Sequence, residues 1–569
     1  MHRTARIAIQ SVLAAVLATP VVCLGGGGSK NVLLVVNDNS AVSKSIASYY
    51  QSKRSIPLAN VCRIACSTSE DISWSECETD ILTPIRGFLQ DPVLGARIDY
   101  IVTTKEVPLR VSYQDGIYLG PLSVDNVIAC VGEPTINGPV TNPYGPAAYP
   151  LAPDRSFSHQ IDFGGKSYYA VSRLDGFTEE QVKRMIDDSV AAVPRNSLFV
   201  LDGRPESDPY SQYYKANDRL RTVNRTLSSS GYATYYSESA FDSRITEFAG
   251  GTSGVMGYFS WGSNESSYTV SAYRSILFAP GSIADSYVST SGRTFSGPQS
   301  GGQSTVGDLI AQGASCVGGY VSEPFVSLTT YPDVLFNRYL RGYNAVESFH
   351  AAMPRLFWKV VIVGDPLLSP YATPPTVTFV SPSPGSALSD TVTIRAAAQD
   401  DSGVSRVEFY VDDYLIETDY DAPYEFAWTT NGYSPGLHTV EAIAYEDSEV
   451  MTQGSASAEY LIGGEAIEVS KLGDLRTLAA GSSVRIASKP VIAGSDSFGG
   501  CIYLIEADRS SGAKVLGASG VPTGALVTVE GDLISVSGAP TVQARSVLIE
   551  GTTDLPEPIG MANACTGGK

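Results

Sequence analysis

The chain has 569 residues, 43% of them hydrophobic and 17% charged, and its 39 Lys and Arg against 59 Asp and Glu give a formal net charge of −20. This composition excludes long disorder and argues against a general nucleic-acid binder, because phosphate would be repelled over most of the surface. At roughly 150 residues a domain, the length predicts three or four domains. Four histidines leave little room for a His-rich metal site, and no Gly-x-Gly-x-x-Gly motif follows a predicted strand, so we predict neither a metal nor a cofactor.

The N-terminus has the pattern of an export signal. Two arginines among the first six residues precede an almost wholly apolar stretch at 7–22, and glycines follow. This predicts a signal peptide over 1–24 and a flexible spacer over 25–30. Cys23 leaves a lipid anchor as an alternative, although the residues before it lack the small side chain that lipoprotein processing prefers. We expect an exported protein, extracellular or in the cell envelope, without a transmembrane span.

Export permits disulfides, and Cys62, Cys66 and Cys77 lie close in sequence. We predict one disulfide from Cys77 to one of the other two, with the choice between them left open. Seven cysteines follow Cys23, so at least one thiol is left over or pairs outside the chain.

Residues 31–373 alternate short apolar runs with segments of helical spacing. The run at 31–37 is typical of a parallel strand buried on both faces. The strand pattern recurs at 98–103, 197–201, 254–260, 314–321 and 360–363. Helices are predicted at 43–53, 178–192, 213–229 and 333–353, and an irregular insertion at 112–170. The alternation predicts an α/β domain with a doubly wound, mainly parallel sheet.

From residue 374 to 462 the pattern changes to short period-two strands, which predict an immunoglobulin-like sandwich. Residues 400–412 and 423–428 resemble the bacterial Ig-like repeats of exported proteins, which implies a spacer or an adhesive arm. Asp400 and Asp401 are either a calcium site or two turn residues, and the turn is favoured because calcium needs six to eight oxygens.

Residues 463–569 hold a second all-β pattern, which resembles a small OB-like barrel. Such barrels often bind oligonucleotides or sugars. Between residues 465 and 569 there are eight basic against eleven acidic residues, so a spacer role or glycan contact is favoured over nucleic-acid binding.

Ligands of open parallel sheets bind outside the carboxyl ends of the strands. The candidate positions after the predicted strands are Asp38, 103–105, Asp202, 261–264, Cys316 with Glu323, and 364–366.

The order of Trp261-Gly262-Ser263 and, about 50 residues later, Cys316 is similar to the caspase–gingipain group of cysteine peptidases. In that group one strand ends in His-Gly and the next ends at the nucleophilic Cys. Here Trp261 occupies the expected His position, and indole cannot accept a proton. Catalysis by Cys316 would need a recruited base, His350 or His159.

A second resemblance covers nearly all of the α/β domain, to a family of exported bacterial proteins of uncharacterised function. Its motifs lie at 31–37, 100–104 with 107–110, 123–125, 173–176, 313–314 with 319–321, and 356–367. The Gly364-Asp365-Pro366 sequence that closes the last strand also recurs at the end of gingipain-like domains. This resemblance implies architecture and export but no substrate.

Three charged residues in those motifs, Asp125, Arg173 and Asp175, are candidates for one binding cleft, in which the arginine would hold a carboxylate bidentately. The alternative is a structural ion pair, with Asp175 starting a turn. Asp365, after the last strand, is a fourth candidate.

The sequence as a whole predicts a non-catalytic recognition protein on a degenerate cysteine-peptidase-like fold, binding peptide or glycan. The alternatives are a peptidase that uses Cys316, and a structural surface protein or adhesin without a cleft ligand. The oligomeric state is not predicted.

Overall fold

The computed structural model describes residues 27–113, 120–133, 138–146, 156–160, 166–239, 254–434, 436–462, 466–478, 482–495, 498, 500–536 and 539–555. The predicted signal peptide and Cys23 lie outside these residues. The chain forms two compact units. The first comprises Met1–Pro375, Asp400–Val404 and Tyr445–Gly454, and the second comprises Thr376–Gln399, Ser405–Ala444 and Ser455–Lys569.

The first unit is built on a ten-stranded sheet. Its strands are β1 Val32–Asn37, β2 Val61–Ile64, β3 Tyr100–Thr104, β4 Ala170–Leu174, β5 Leu198–Asp202, β6 Thr234–Ser237, β7 Val255–Ser260, β8 Phe278–Ser286, β9 Cys316–Tyr320 and β10 Val360–Gly364. Their order in the sheet is β6-β5-β7-β8-β9-β10-β4-β3-β1-β2. Strands β1 to β4 pair in parallel, as do β5 to β9, whereas β10 runs antiparallel to β9. The predicted mainly parallel α/β sheet is confirmed.

Buried apolar runs explain the strands that the sequence predicted, since all six residues of β1 and all five of β10 are buried. Four strands were missed: β2, β4, β6 and β8. Strand β8 reads FAPGSIADS, and its Pro280 and Gly281 hide the strand pattern. Missing β8 matters, because it lies between β7 and β9 and separates two strands that the sequence analysis treated as neighbours.

The main helices of this unit are α1 Ala41–Arg54, α2 Glu179–Val190, α3 Gln212–Ser229, α4 Val306–Ala311, α5 Pro332–Leu340 and α6 Ala345–Ala352. Side chains of Ser40, Thr178, Ser211 and Asn344 cap α1, α2, α3 and α6 by accepting a backbone N–H. The single helix predicted over 333–353 is two helices, because Gly342 adopts a φ of +97° and ends the first one.

Shorter elements complete the unit. The helical turns are Ser29–Asn31, Leu58–Asn60, Trp74–Glu76, Cys77–Leu82, Thr83–Leu89, Gly95–Arg97, Val124–Ile128, Gly262–Asn264, Val270–Tyr273 and Val326–Leu328. There are also two small sheets. One has three strands, Asp71–Ser73, Arg110–Ser112 and Leu122–Ser123, and the other has two, Val140–Thr141 and Arg355–Leu356. Part of the predicted flexible spacer is packed: Gly28 N donates to Asn31 Oδ1 over 2.9 Å, and Lys30 is buried.

The second unit begins with two sheets that form the Ig-like sandwich. Its strands are β11 Thr376–Ser381, β12 Ala387–Leu388, β13 Thr391–Gln399, β14 Val404–Val411, β15 Tyr414–Asp419, β16 Glu425–Thr429, β17 Gly436–Glu446 and β18 Gln453–Ile462. One sheet has the order β11-β13-β16 and the other β12-β18-β17-β14-β15. Phe409, Trp428 and Tyr460 fill the core between them. The predicted sandwich is confirmed.

The rest of the second unit is a closed five-stranded barrel. Its five strands are β20 Ser483–Ala493, β21 Cys501–Ile505, β22 Gly512–Leu516, β23 Ala525–Val536 and β24 Ala539–Thr552, preceded by a short additional strand, β19 Ile467–Glu468, and a helical turn at Leu472–Thr477. Pairing runs β20-β21-β22-β24-β23 and returns to β20, and the short strand β19 pairs in parallel with β20. Val484, Ile502 and Val515 lie in the core. This confirms the predicted small barrel. No helix among the described residues is long and apolar enough to cross a membrane.

The predicted disulfide is not formed in the structure. Cys62, Cys66 and Cys77 are buried free thiols, as are Cys130 and Cys316. Burial raises the pKa of Cys62, Cys66 and Cys77 to about 12. Because thiolate is the species that forms and exchanges disulfides, these thiols are poorly disposed to react in the folded chain.

Candidate functional site

Three of the predicted binding residues do come together, beside the carboxyl end of β4. Arg173 donates from Nε to Asp125 Oδ2 over 2.7 Å and from Nη1 to Asp175 Oδ2 over 3.0 Å. Its Nη2 donates to the carbonyl oxygens of Val107, at 3.1 Å, and Pro108, at 2.9 Å. All three guanidinium nitrogens of Arg173 are therefore engaged within the protein.

This ion-pair network is buried. Arg173, Asp125 and Asp175 are 1%, 2% and 3% exposed. Burial alone would lower the pKa of Arg173, but the carboxylates of Asp125 and Asp175 raise it overall. Lys105 Nζ adds a second cation, donating to Asp175 Oδ1 over 3.1 Å and to the Phe295 carbonyl over 3.0 Å. The geometry favours the structural ion pair over a binding cleft, and a ligand-binding role for the three residues stays a prediction.

Asp365, the fourth binding candidate, lies in a different cluster. Its Oδ2 accepts from Arg54 Nε over 2.6 Å, and its Oδ1 accepts from the Tyr50 hydroxyl over 2.8 Å and from Leu367 N over 2.9 Å. Its side chain is fully buried. These bonds connect α1 to the segment after β10. None of them involves Arg173, Asp125 or Asp175.

Cys316 begins strand β9, so the prediction that it follows a strand end is wrong. It lies opposite Gly364 of β10 and opposite Ile283 of β8. Its thiol is fully buried. Burial, with the nearby charges of Asp365 and Asp285, raises the pKa of Cys316 well above its ordinary value. A thiol held in this protonated form is a poor nucleophile.

Trp261 follows β7 directly and is displaced from Cys316 along the direction of the strands. The end of β7, Ser260, pairs with Ser286, three residues beyond the Ile283 that pairs with Cys316. Three residues of strand span about 10 Å. Trp261 is 1% exposed, and its Nε1 donates to Asn217 Oδ1 over 2.8 Å. It anchors α3 to the sheet.

The two histidines considered as recruited bases are committed to other partners. His350, on α6, accepts the Val171 N–H at Nε2 over 2.8 Å, and burial lowers its pKa to about 4. The ring is therefore neutral near pH 7 and faces β4. His159 Nδ1 lies 2.8 Å from Asp99 Oδ1, and its ring stacks on Tyr169 with centroids 5.3 Å apart.

The acidic pair of the Ig-like region forms a turn. Asp400 Oδ1 accepts the Ser402 N–H over 2.7 Å, and Gly403 follows with a φ of +95°. This is the turn favoured by the sequence. Within the described part of the chain, no three or more His, Cys, Asp or Glu side chains are grouped so that they could hold a metal ion.

A cavity of about 810 Å³ lies between helices α3 and α5, and the sequence analysis did not predict it. Tyrosine, arginine, hydroxyl and amide side chains line about half of it, and apolar side chains line most of the rest. The lining residues are Tyr144, Gly145, Pro146, Arg219, Thr222, Val223, Thr226, Leu227, Ser230, Tyr232, Tyr331, Asp333, Val334, Phe336, Asn337, Arg338, Leu340, Arg341 and Ala351. The available sequence signal was a stripe at helical spacing, with Arg219, Thr222, Thr226 and Ser230 on one face of α3.

Arg219 is the central charged residue of this cavity. Its Nη1 donates to both carboxylate oxygens of Asp333, over 2.9 and 3.0 Å, which joins α3 to α5. Its guanidinium lies 3.3 Å from the centroid of the Tyr331 ring. Arg219 and Tyr331 also line a smaller cavity of about 110 Å³, together with Lys215 and Gln212.

Fold and cavity together define a multidomain protein with a mainly parallel α/β domain, an Ig-like sandwich and a small closed barrel. Comparison with known families agrees for the sandwich: residues 375–442 match the family described as Bacterial Ig domain. This confirms the resemblance drawn from residues 400–412. No curated protein matches the chain.

Solved structures resemble only parts of the chain. The fibronectin(III)-like modules of CbhA from Clostridium thermocellum show 30% identity and a TM-score of 0.14, over 15% of this chain and 96% of that one. The endo-beta-1,4-mannanase of Thermotoga petrophila shows 20% identity and a TM-score of 0.15, over 16% and 20%. SGBP-B from the mixed-linkage glucan utilization locus of Bacteroides ovatus, solved with a mixed-linkage heptasaccharide, shows 14% identity and a TM-score of 0.14, over 33% and 62%.

Proposed function

We propose that the protein is an exported recognition protein that binds a glycan, without catalysis, in the cavity between α3 and α5. The Ig-like sandwich and the barrel serve as spacer and contact surface. The observation that supports this function is the cavity itself, whose volume of about 810 Å³ lies in the range of small-molecule sites.

The lining has the chemistry that a saccharide needs. Tyr144, Tyr232 and Tyr331 offer flat apolar ring faces with a polar tip. Thr226 and Asn337 offer hydroxyl and amide groups that both donate and accept hydrogen bonds, as sugar hydroxyls do. A peptide, the other ligand class considered, is commonly bound along an exposed strand edge, and this cavity lies between helices.

The burial of Cys316, and its separation from Trp261 by strand β8, support recognition over a cysteine peptidase. The third function, a structural surface protein or adhesin, requires no ligand in the cavity. Export is supported by the Bacterial Ig domain at residues 375–442 together with the N-terminal signal pattern.

The test is calorimetric titration of the full chain with neutral and acidic oligosaccharides of three to six units. Thr226 is an exposed residue of α3 that lines the cavity, so Thr226→Trp should fill the space without disturbing the core. Ser229→Trp places the same side chain on the same helix at an exposed position outside the lining.

We expect at least one saccharide to bind the native chain and the Ser229→Trp variant equally, and to lose at least tenfold in affinity for Thr226→Trp. If no saccharide binds, or if Thr226→Trp binds as well as the native chain, the cavity is not a glycan site and the proposed function fails.

A further inference from the structure

The charge of the cavity is opposite to that of the chain. The net charge of the protein is −20, yet the described residues that line the cavity include three arginines and one carboxylate, that of Asp333. The adjoining small cavity adds Lys215, which is exposed. A cationic recess in an acidic surface attracts anions and orients them by charge.

The three arginines are not equally available to a ligand. Arg341 donates to Glu449 over 3.0 Å, and the Arg338 guanidinium lies 3.7 Å from the centroid of the Tyr343 ring. Arg219 is one-third exposed, and within the described residues its hydrogen bonds all run from Nη1 to Asp333. Its Nε and Nη2 are the donors left for a ligand.

A carboxylate is the anion that this arrangement fits. Guanidinium Nε and Nη2 present two parallel N–H groups at the spacing of carboxylate oxygens. The ring of Tyr331 holds the plane of Arg219 in place, so the fork is ordered before a ligand arrives.

We propose that the cavity selects acidic saccharides, and that Arg219 binds the carboxylate of a uronic acid unit. This inference rests on the proposed function and adds the class of ligand to it. Asp333 then weakens the attraction of the anion, because its carboxylate, held at Nη1, offsets part of the positive charge of Arg219.

The experiment compares a panel of oligouronates (galacturonate, glucuronate and mannuronate) with their methyl esters, which have the same rings without the charge. Each is titrated against the full-length chain and the variants Arg219→Gln, Asp333→Asn and Arg225→Gln. Arg225 is an exposed arginine of α3 outside the cavity lining and serves as the matched control. Poly-glutamate tests for an acidic peptide.

We expect an acid to bind the native chain about 10- to 100-fold more tightly than its ester, the range of a hydrogen bond to a charged group. Arg219→Gln should remove this preference, and Arg225→Gln should keep it. Asp333→Asn should tighten acid binding by removing the negative charge that offsets Arg219, and an unfolded variant cannot produce such a gain.

The outcomes separate the two proposals. If esters and acids bind alike and Thr226→Trp abolishes both, the cavity binds glycans but the acidic preference is wrong. The acidic preference also fails if neither Arg219→Gln nor Asp333→Asn changes acid binding. If poly-glutamate binds and no saccharide does, or if nothing binds, both proposals fail.

Discussion

Gly364 and Cys316 face each other across the antiparallel strands β10 and β9, so closely that a Cβ added to Gly364 would lie 2.6 Å from the Cys316 Sγ. The thiol therefore fills the space that a side chain at Gly364 would need. The sulfur is therefore part of the packing between two central strands, as is typical of a small buried hydrophobic side chain.

Gly364→Ala tests that packing. The added methyl group meets Sγ, Cβ and Cα of Cys316, all within 2.9 Å, so something in the sheet must move. Overpacking of a core typically costs about 1–3 kcal/mol. We expect a lower midpoint of thermal unfolding for the α/β unit. Gly301→Ala, at a glycine with no atom within 4 Å of an added Cβ, should unfold like the native chain.

Cys316 should be unreactive in the native protein. Burial and nearby acidic groups raise its pKa, so thiolate at pH 7 is scarcer than in a free thiol. We expect a thiol reagent to label Cys316 more slowly than it labels glutathione. Peptide mass spectrometry measures the rate of labelling at this residue. In urea the same residue should react at the rate of a free thiol. Labelling in the native state that is faster than for glutathione would support the peptidase alternative over the recognition protein.

Arg173→Gln should destabilise the α/β unit strongly. It removes the cation between Asp125 and Asp175 and leaves both carboxylates buried with fewer partners. Removing one member of a buried ion pair typically costs about 3–5 kcal/mol. Urea unfolding followed by fluorescence measures the loss, with Arg225→Gln as the surface control. An unchanged unfolding midpoint would mean that the network is not structural, and Asp125 and Asp175 would then merit testing as ligand contacts.

Asp285 should make stability fall as the pH rises. It is fully buried, and burial raises its pKa to about 7 in the folded chain, against an ordinary value near 4. Between about pH 4 and pH 7 the folded state therefore binds more protons than the unfolded state, so the free energy of unfolding decreases through this window. Asp285→Asn removes the charge and should be more stable than the native chain at pH 8, by on the order of 2–4 kcal/mol.

At pH 4 the Asp285→Asn variant and the native chain should be equally stable, because the native carboxyl is then protonated in the folded state. Ser229→Ala, at an exposed position of α3, changes no titratable group and serves as the control. Denaturant unfolding at pH 4, 6 and 8 gives the comparison. A parallel pH profile for Asp285→Asn and the native chain would show that Asp285 keeps an ordinary pKa.

Some residues of the candidate sites could be found from sequence and others could not. Asp125, Arg173 and Asp175 were grouped correctly, because each lies in a motif next to a strand or turn. Whether they bind a ligand or stabilise the fold was left open, since the choice depends on which donors the surrounding backbone uses. The carbonyl oxygens of Val107 and Pro108 both accept from Arg173 Nη2, and no sequence pattern predicts these two hydrogen bonds.

Local patterns determined much of the architecture. The sequence was enough to recognise the buried strand β1, the strands of the sandwich and the small C-terminal barrel. A strand buried on both faces has a continuous apolar run, and a strand buried on one face has apolar residues at every second position. Only the tertiary structure decided where the chemistry lies. It inserted β8 between β7 and β9, buried Cys316 against Gly364, and brought Arg219 to Asp333 across 114 residues of sequence. The cavity between α3 and α5 is a gap left by the packing of two helices, and neither helix alone encodes its shape.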